Sequence, residues 1–170
     1  MSEKTVFVQV TERPERKLIV LRGKKATHYF EYCEEVGCEV WGVLSSVQGS
    51  LYGTPVAAWL PKHLVKPGTS EYVQGIEMPF DYDGVIPKDM DIIDLPACTM
   101  MEFYSEPFKE TEEESDMDVA IGSVQRVIAS YKPEQFGYVW DADSNPHYQY
   151  EPDPVNGYVE AVPVRKIIKG

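Results

Sequence analysis

The segment Tyr72-Val73-Gln74-Gly75-Ile76-Glu77-Met78-Pro79 returns half a chain length later as Tyr158-Val159-Glu160-Ala161-Val162-Pro163. Each copy follows a helix-like segment and a short aromatic stretch, so the chain reads as one module written twice. A duplicated module sets two equivalent sheets about a pseudo-twofold axis, and ligand clefts form preferentially at such junctions. The copies differ where chemistry is concerned: Gln74 in the first is Glu160 in the second. A single carboxylate stands where symmetry allows two.

At 170 residues the chain can bury a core, as one domain or as two fused halves. Sixteen basic against twenty-eight acidic residues give a net charge of −12, which repels phosphate backbones and disfavours direct nucleic-acid binding. Cys33, Cys38 and Cys98 form no paired framework and fit a reducing compartment. Residues 1–20 hold no apolar leader and no run reaches membrane-spanning length, so a cytoplasmic protein is expected.

Apolar positions at 29/30, 33, 36, 40/41, 44 and 47 recur with helical spacing and predict one helix, with Thr27 as its N-cap. Met117, Ala120, Val124, Val127 and Tyr131 predict a second, begun by Ser115 behind the solvated acidic run Glu112-Glu113-Glu114 and stopped at Pro133. Strands are expected over residues 6–10, 18–21, 55–61, 71–78, 96–104, 136–140, 147–150 and 157–164, with a strand break at Pro14 and a linker at 81–87. Each half then runs strand, helix, strand, strand, which gives an α+β fold of antiparallel sheets with a helix on one face. The expected organisation is a single domain over 1–170, with modules at about 5–80 and 90–168.

At this level of detail the chain resembles the GyrI-like small-molecule-binding family, also found as the effector-binding half of AraC- and MerR-type regulators. The resemblance rests on Thr11-Glu12-Arg13-Pro14-Glu15-Arg16-Lys17-Leu18-Ile19-Val20-Leu21-Arg22, on Leu95-Pro96-Ala97-Cys98-Thr99-Met100-Met101-Glu102-Phe103 and on the closing Tyr158-Val159-Glu160-Ala161-Val162-Pro163-Val164. The helix segment Glu31-Tyr32-Cys33-Glu34-Glu35-Val36-Gly37-Cys38-Glu39-Val40-Trp41-Gly42 is similar to that of stand-alone members, which lack a DNA-binding domain. Some of these hydrolyse cyclopropane-bearing DNA-alkylating natural products in an aromatic cage. The resemblance implies two modules about a pseudo-twofold axis and a central groove for bulky, often cationic, aromatic ligands. In regulators of the family a buried glutamate often stands four residues before the final proline. Here Val159 holds that place and Glu160 stands three before Pro163.

Strand alternation puts Tyr158, Glu160 and Val162 on one face and Val159 and Ala161 on the other, with Tyr72, Gln74 and Ile76 matching the first set. Small residues suit the face under a helix, so Tyr and Glu or Gln are expected to face the cleft. A carboxylate among aromatics is suited to a cation or to proton transfer, and π faces stack on planar ligands and attract cations. The candidate ligand-binding residues are Trp41, Trp59, Tyr72, Phe103, Tyr104, Trp140, Tyr158 and Glu160; for a hydrolase, Glu160 and Tyr72 are the candidate catalytic pair. His28, His63 and His147 show no acidic partner at ligand spacing and read as surface or loop residues. Cys33 and Cys38, roughly 140° apart on one helix, cannot clamp one metal, and no metal or cofactor is expected.

Three functions fit these residues. The first is a stand-alone protein that sequesters hydrophobic, aromatic or cationic xenobiotics. The second is a hydrolase opening a cyclopropane ring in the same cage. The third is a protein-interaction modulator.

Overall fold

A computed structural model describes residues 3–109 and 115–168. Along the chain lie β1 (Val6–Arg13), β2 (Arg16–Arg22), α1 (Tyr29–Val36), α2 (Val40–Ser45), β3 (Val56–Trp59) and β4 (Tyr72–Pro79). The second half continues with β5 (Asp91–Leu95), β6 (Cys98–Ser105), α3 (Ser115–Ser130), β7 (Tyr138–Trp140), β8 (His147–Gln149) and β9 (Val159–Lys166). The acidic run at 112–114 and the Ser115 side chain, expected as loop and cap, lie outside the described residues.

The strands form a nine-stranded antiparallel sheet in the order β1-β6-β9-β8-β3-β4-β2-β5, with β7 beside β9. Its middle is symmetric: β6-β9-β8 in one half answers β2-β4-β3 in the other. The halves meet where Ala57 of β3 faces Gln149 of β8. Ala57 is paired with Gln74 in its own module and Gln149 with Glu160 in the other, so the pseudo-twofold axis passes between them. This is the α+β fold of two tandem modules that the repeat implied.

The outer strands hold the halves together. Arg13 lies opposite Cys98 in β1·β6 and Arg16 opposite Leu95 in β2·β5, the same offset on both sides of the break. β1–β2 and β5–β6 therefore form one long ribbon, kinked at Pro14 and Pro96, where a missing N–H interrupts the ladder. β5 was not expected from the sequence; its Asp91-Ile92-Ile93-Asp94 pattern carries no clear alternation.

At the kink sits a buried charge network. Arg16 is fully buried; its Nε donates to Glu77, and its Nη2 donates to Asn145 Oδ1 at 3.0 Å and to the Tyr148 hydroxyl at 2.8 Å. Arg13 Nη1 donates to the second Glu77 oxygen at 2.7 Å, and its Nη2 to Tyr150. Buried charges of this kind persist only when paired and hydrogen-bonded.

The kink also decides which face is which. On the inner side Val73, Ala161, Ala58, Val56, Leu18, Val20 and Met100 pack into one core together with the fully buried Tyr148. The helices cover the other side: Ile76 and Met78 pack on Val40 and Leu44 of α2, Tyr72 on Tyr32 of α1, and Tyr158 and Val164 on Ala120 and Val124 of α3. The expectation that small residues lie under the helices is therefore reversed. The Tyr/Gln/Glu face is the helix face, with Tyr72, Gln74, Tyr158 and Glu160 all buried on it.

The single helix expected from residue 27 is two helices. Gly37 takes φ 91 at the C-cap of α1, a left-handed value that ends the helix. Thr27 stands one residue outside the N-cap, and its hydroxyl donates to Glu31 at 2.7 Å. Cys38 falls beyond the break, so the angular separation from Cys33 no longer applies, and a hydrogen bond with Cys33 raises the Cys38 thiol. No helix of the described residues is long and apolar enough to cross a membrane.

Candidate functional site

Two cross-strand rows on the helix face assemble the site. In one, Gln74, Ala57, Gln149, Glu160 and Phe103 lie opposite one another across β4, β3, β8, β9 and β6. In the other, Tyr72, Trp59 and His147 do the same across β4, β3 and β8. Regular pairing with β6 runs through Glu160 without a bulge, so its position relative to Pro163 still leaves it on the face of Tyr158.

Gln149, beside the pseudo-twofold axis, joins the equivalent tyrosines. Its Oε1 accepts the Tyr72 hydroxyl at 2.7 Å, and its Nε2 donates to the Tyr158 hydroxyl at 2.8 Å. Tyr158 in turn donates to Glu160 Oε2 at 2.5 Å. The amide has distinct ends, so this chain of bonds runs one way, from Tyr72 toward the one carboxylate. Burial, then the adjacent Glu160 charge and hydrogen bond, pushes the Tyr158 phenol far up; burial does the same to Tyr72. Both phenols keep their protons, and Tyr158 serves Glu160 as a neutral partner while Tyr72 reaches it only through Gln149.

Glu160 is 2% exposed. Oε1 lies 2.6 Å from His147 Nε2, and Oε2 also accepts Gln125 of α3 at 3.2 Å. Trp59 closes the site beside these groups, with its ring centroid 4.9 Å from His147 and 5.3 Å from Tyr72, both edge-on. Its indole N–H donates to Thr27 O at 2.9 Å, which ties β3 to the approach of α1.

Of the sequence candidates, Trp59, Tyr72, Tyr158 and Glu160 come together here. Phe103 is opposite Glu160 but lies under α3, edge-on to Tyr131 at 5.0 Å. Trp140 packs in that same core. Tyr104 belongs elsewhere: alternation turns it to the other face of β6, where it stacks on Phe7 at 5.4 Å. Trp41 is on α2 and joins none of the aromatic pairs around Glu160. His147, Gln149 and Gln125 were missed. Alternation along His147-Tyr148-Gln149 was the available signal, since it sets residues 147 and 149 on one face.

A surface groove of about 740 Å³ opens on the opposite side of the sheet, lined by residues including Arg13, Tyr52, Glu102, Tyr150 and Val159. Its one lining guanidinium, Arg13, is already bonded to Glu77 and Tyr150 as part of the kink network. The chemistry gathered about Glu160 is more specific, although Glu160 itself is closed off.

No family model and no curated protein matches the sequence. Solved structures match its fold. SAV2435, solved bound to tetraphenylphosphonium, is 13% identical with a TM-score of 0.54, covering 94% of each chain. A Staphylococcus aureus MU50 protein described as a bacterial transcription regulation protein is 16% identical with a TM-score of 0.53, covering 94% of this chain and 98% of that one. The integron cassette protein VCH_CASS2 of Vibrio cholerae is 8% identical with a TM-score of 0.51, covering 95% of this chain and 100% of that one. At these identities the likeness is one of fold, and the fold is the GyrI-like one that the sequence resemblance implied.

Proposed function

We propose that this protein binds hydrophobic organic cations, seating the positive charge against Glu160 between Trp59, Tyr72 and Tyr158. The observation that carries the reading is a buried carboxylate whose hydrogen-bond partners, apart from His147, are the neutral Tyr158 and Gln125. A carboxylate removed from water favours a cation that brings its own hydrophobic surface, because such a cation loses little hydration on entry. The fold shared with SAV2435, solved with tetraphenylphosphonium, supports the same ligand chemistry. The biological ligand class is then bulky cationic xenobiotics.

Titration calorimetry with tetraphenylphosphonium and with tetraphenylborate tests this. The two ions match in shape and differ in sign. Binding of the cation with no binding of the anion is expected; equal binding of both refutes the reading.

One observation favours a second reading, ring-opening hydrolysis. Tyr158, Glu160 and His147 join a phenol, a carboxylate and an imidazole in direct contact. In that reading water adds its oxygen to a cyclopropane carbon as the ring bond breaks, and the electron pair passes to the conjugated carbonyl. A tyrosine (Tyr158 or Tyr72) protonates that carbonyl, and Glu160 accepts the proton of the water. Full recovery of an intact cyclopropane substrate after incubation rules this out.

A further inference from the structure

Every oxygen of Glu160 is already in use: Oε1 by His147, Oε2 by Tyr158 and Gln125. With Glu160 only 2% exposed behind these groups, a cation can reach the carboxylate only by displacing one of them. Tyr158 is fully buried and fixed from behind by Gln149, and Gln125 is held on α3. His147 differs, with 30% of its side chain exposed against 3% for Glu160. It opens β8 directly after Pro146; its backbone pairs with Trp59 of β3 but lies outside the β8·β9 pairing of Tyr148 and Gln149, so the imidazole can leave Glu160 by side-chain rotation alone.

The imidazole also has the character of a ligand. It lies against the Trp59 ring and touches the carboxylate, as an aromatic cation in the site would. The groups facing it are Glu160 from β9 and Trp59 from β3, with Gln149 on its own strand. Among the described residues its ion pair and hydrogen bond are both with Glu160.

We propose that His147 is a built-in competitor for Glu160, occupying the ligand's place and swinging outward before a cation can bind. This rests on the cation-binding reading and adds its regulation. The competitor sets a threshold: weakly held cations fail to displace the imidazole, and those bringing extensive aromatic surface succeed. Affinity is reduced by the fraction of molecules in which His147 is closed, and removing the side chain removes that penalty.

The test compares tetraphenylphosphonium binding by wild type, His147→Ala and His147→Gln, with thermal melts to confirm folding; glutamine serves where alanine compromises the fold. The proposal expects roughly tenfold tighter binding in the folded variants. The gain should vanish in a Glu160→Gln background, a dependence that simple loosening of the site would not show. The imidazole proton resonance of His147 should also move to a solvent-like position on saturation of wild type. Equal or weaker binding by both variants, with wild-type binding intact, overturns the competitor alone. Absence of binding by wild type and variants alike overturns the cation reading with it.

Discussion

His147 Nε2 and Glu160 Oε1 meet at 2.6 Å across the edge of β8 and β9. Through this contact a partly exposed imidazole caps a buried carboxylate at the junction of two repeated modules. The same carboxylate is held from the other oxygen by Tyr158, so both of its oxygens are occupied within the protein.

Replacing Gln149 with Leu cuts the bridge between Tyr72 and Tyr158. The Tyr72 hydroxyl loses its acceptor in a buried setting, which costs about 1–3 kcal/mol. Chemical denaturation should show that loss, and ligand affinity should fall as Tyr158 loses its support.

Glu77→Leu should be more severe. It strips Arg13 and Arg16 of their shared carboxylate inside the kink, and breaking a buried pair in this way costs about 3–5 kcal/mol. Urea midpoints measure it. A shift near zero would mean that the kink network contributes nothing to stability.

Gly157→Ala tests the placement of Tyr158. Gly157 has φ 85, and a Cβ there would stand 2.2 Å from Ser105 O. Strain plus displacement of backbone should lower stability by roughly 1–3 kcal/mol and weaken ligand binding at the neighbouring Tyr158.

Alkaline pH should unfold the protein through its buried phenols. Burial pushes Tyr150 from 10.0 up to about 12, and Tyr148 moves the same way. A phenol with a raised value keeps its proton in the folded state longer than in the unfolded one. Its stabilising contribution is complete below pH 10 and is lost as pH rises through 12. Tyrosinate absorbance and circular dichroism should therefore change together in that window.

The repeated strands were legible because period-two alternation and the Gln74/Glu160 difference survive in the residues themselves. The faces were assigned the wrong way round because nothing local reports that Pro14 and Pro96 fold the ribbon back on itself. Val73 and Ala161 then join Tyr148 in the inner core, while Tyr72 and Tyr158 lie under the helices. The burial of Arg16 is not written in its neighbours, since arginine is rarely fully buried without a partner, and its partner Glu77 lies on another strand. His147 escaped for a related reason. Its partner Glu160 is reached only through the pairing of β8 with β9, a relation that sequence spacing does not express.

The most direct test of the central claim is calorimetric titration of wild type and Glu160→Gln with tetraphenylphosphonium. Glutamine keeps the shape and removes the charge, so the variant should remain folded and lose affinity by roughly tenfold or more, about 1.4 kcal/mol or greater. Unchanged affinity in a folded Glu160→Gln protein would contradict the account.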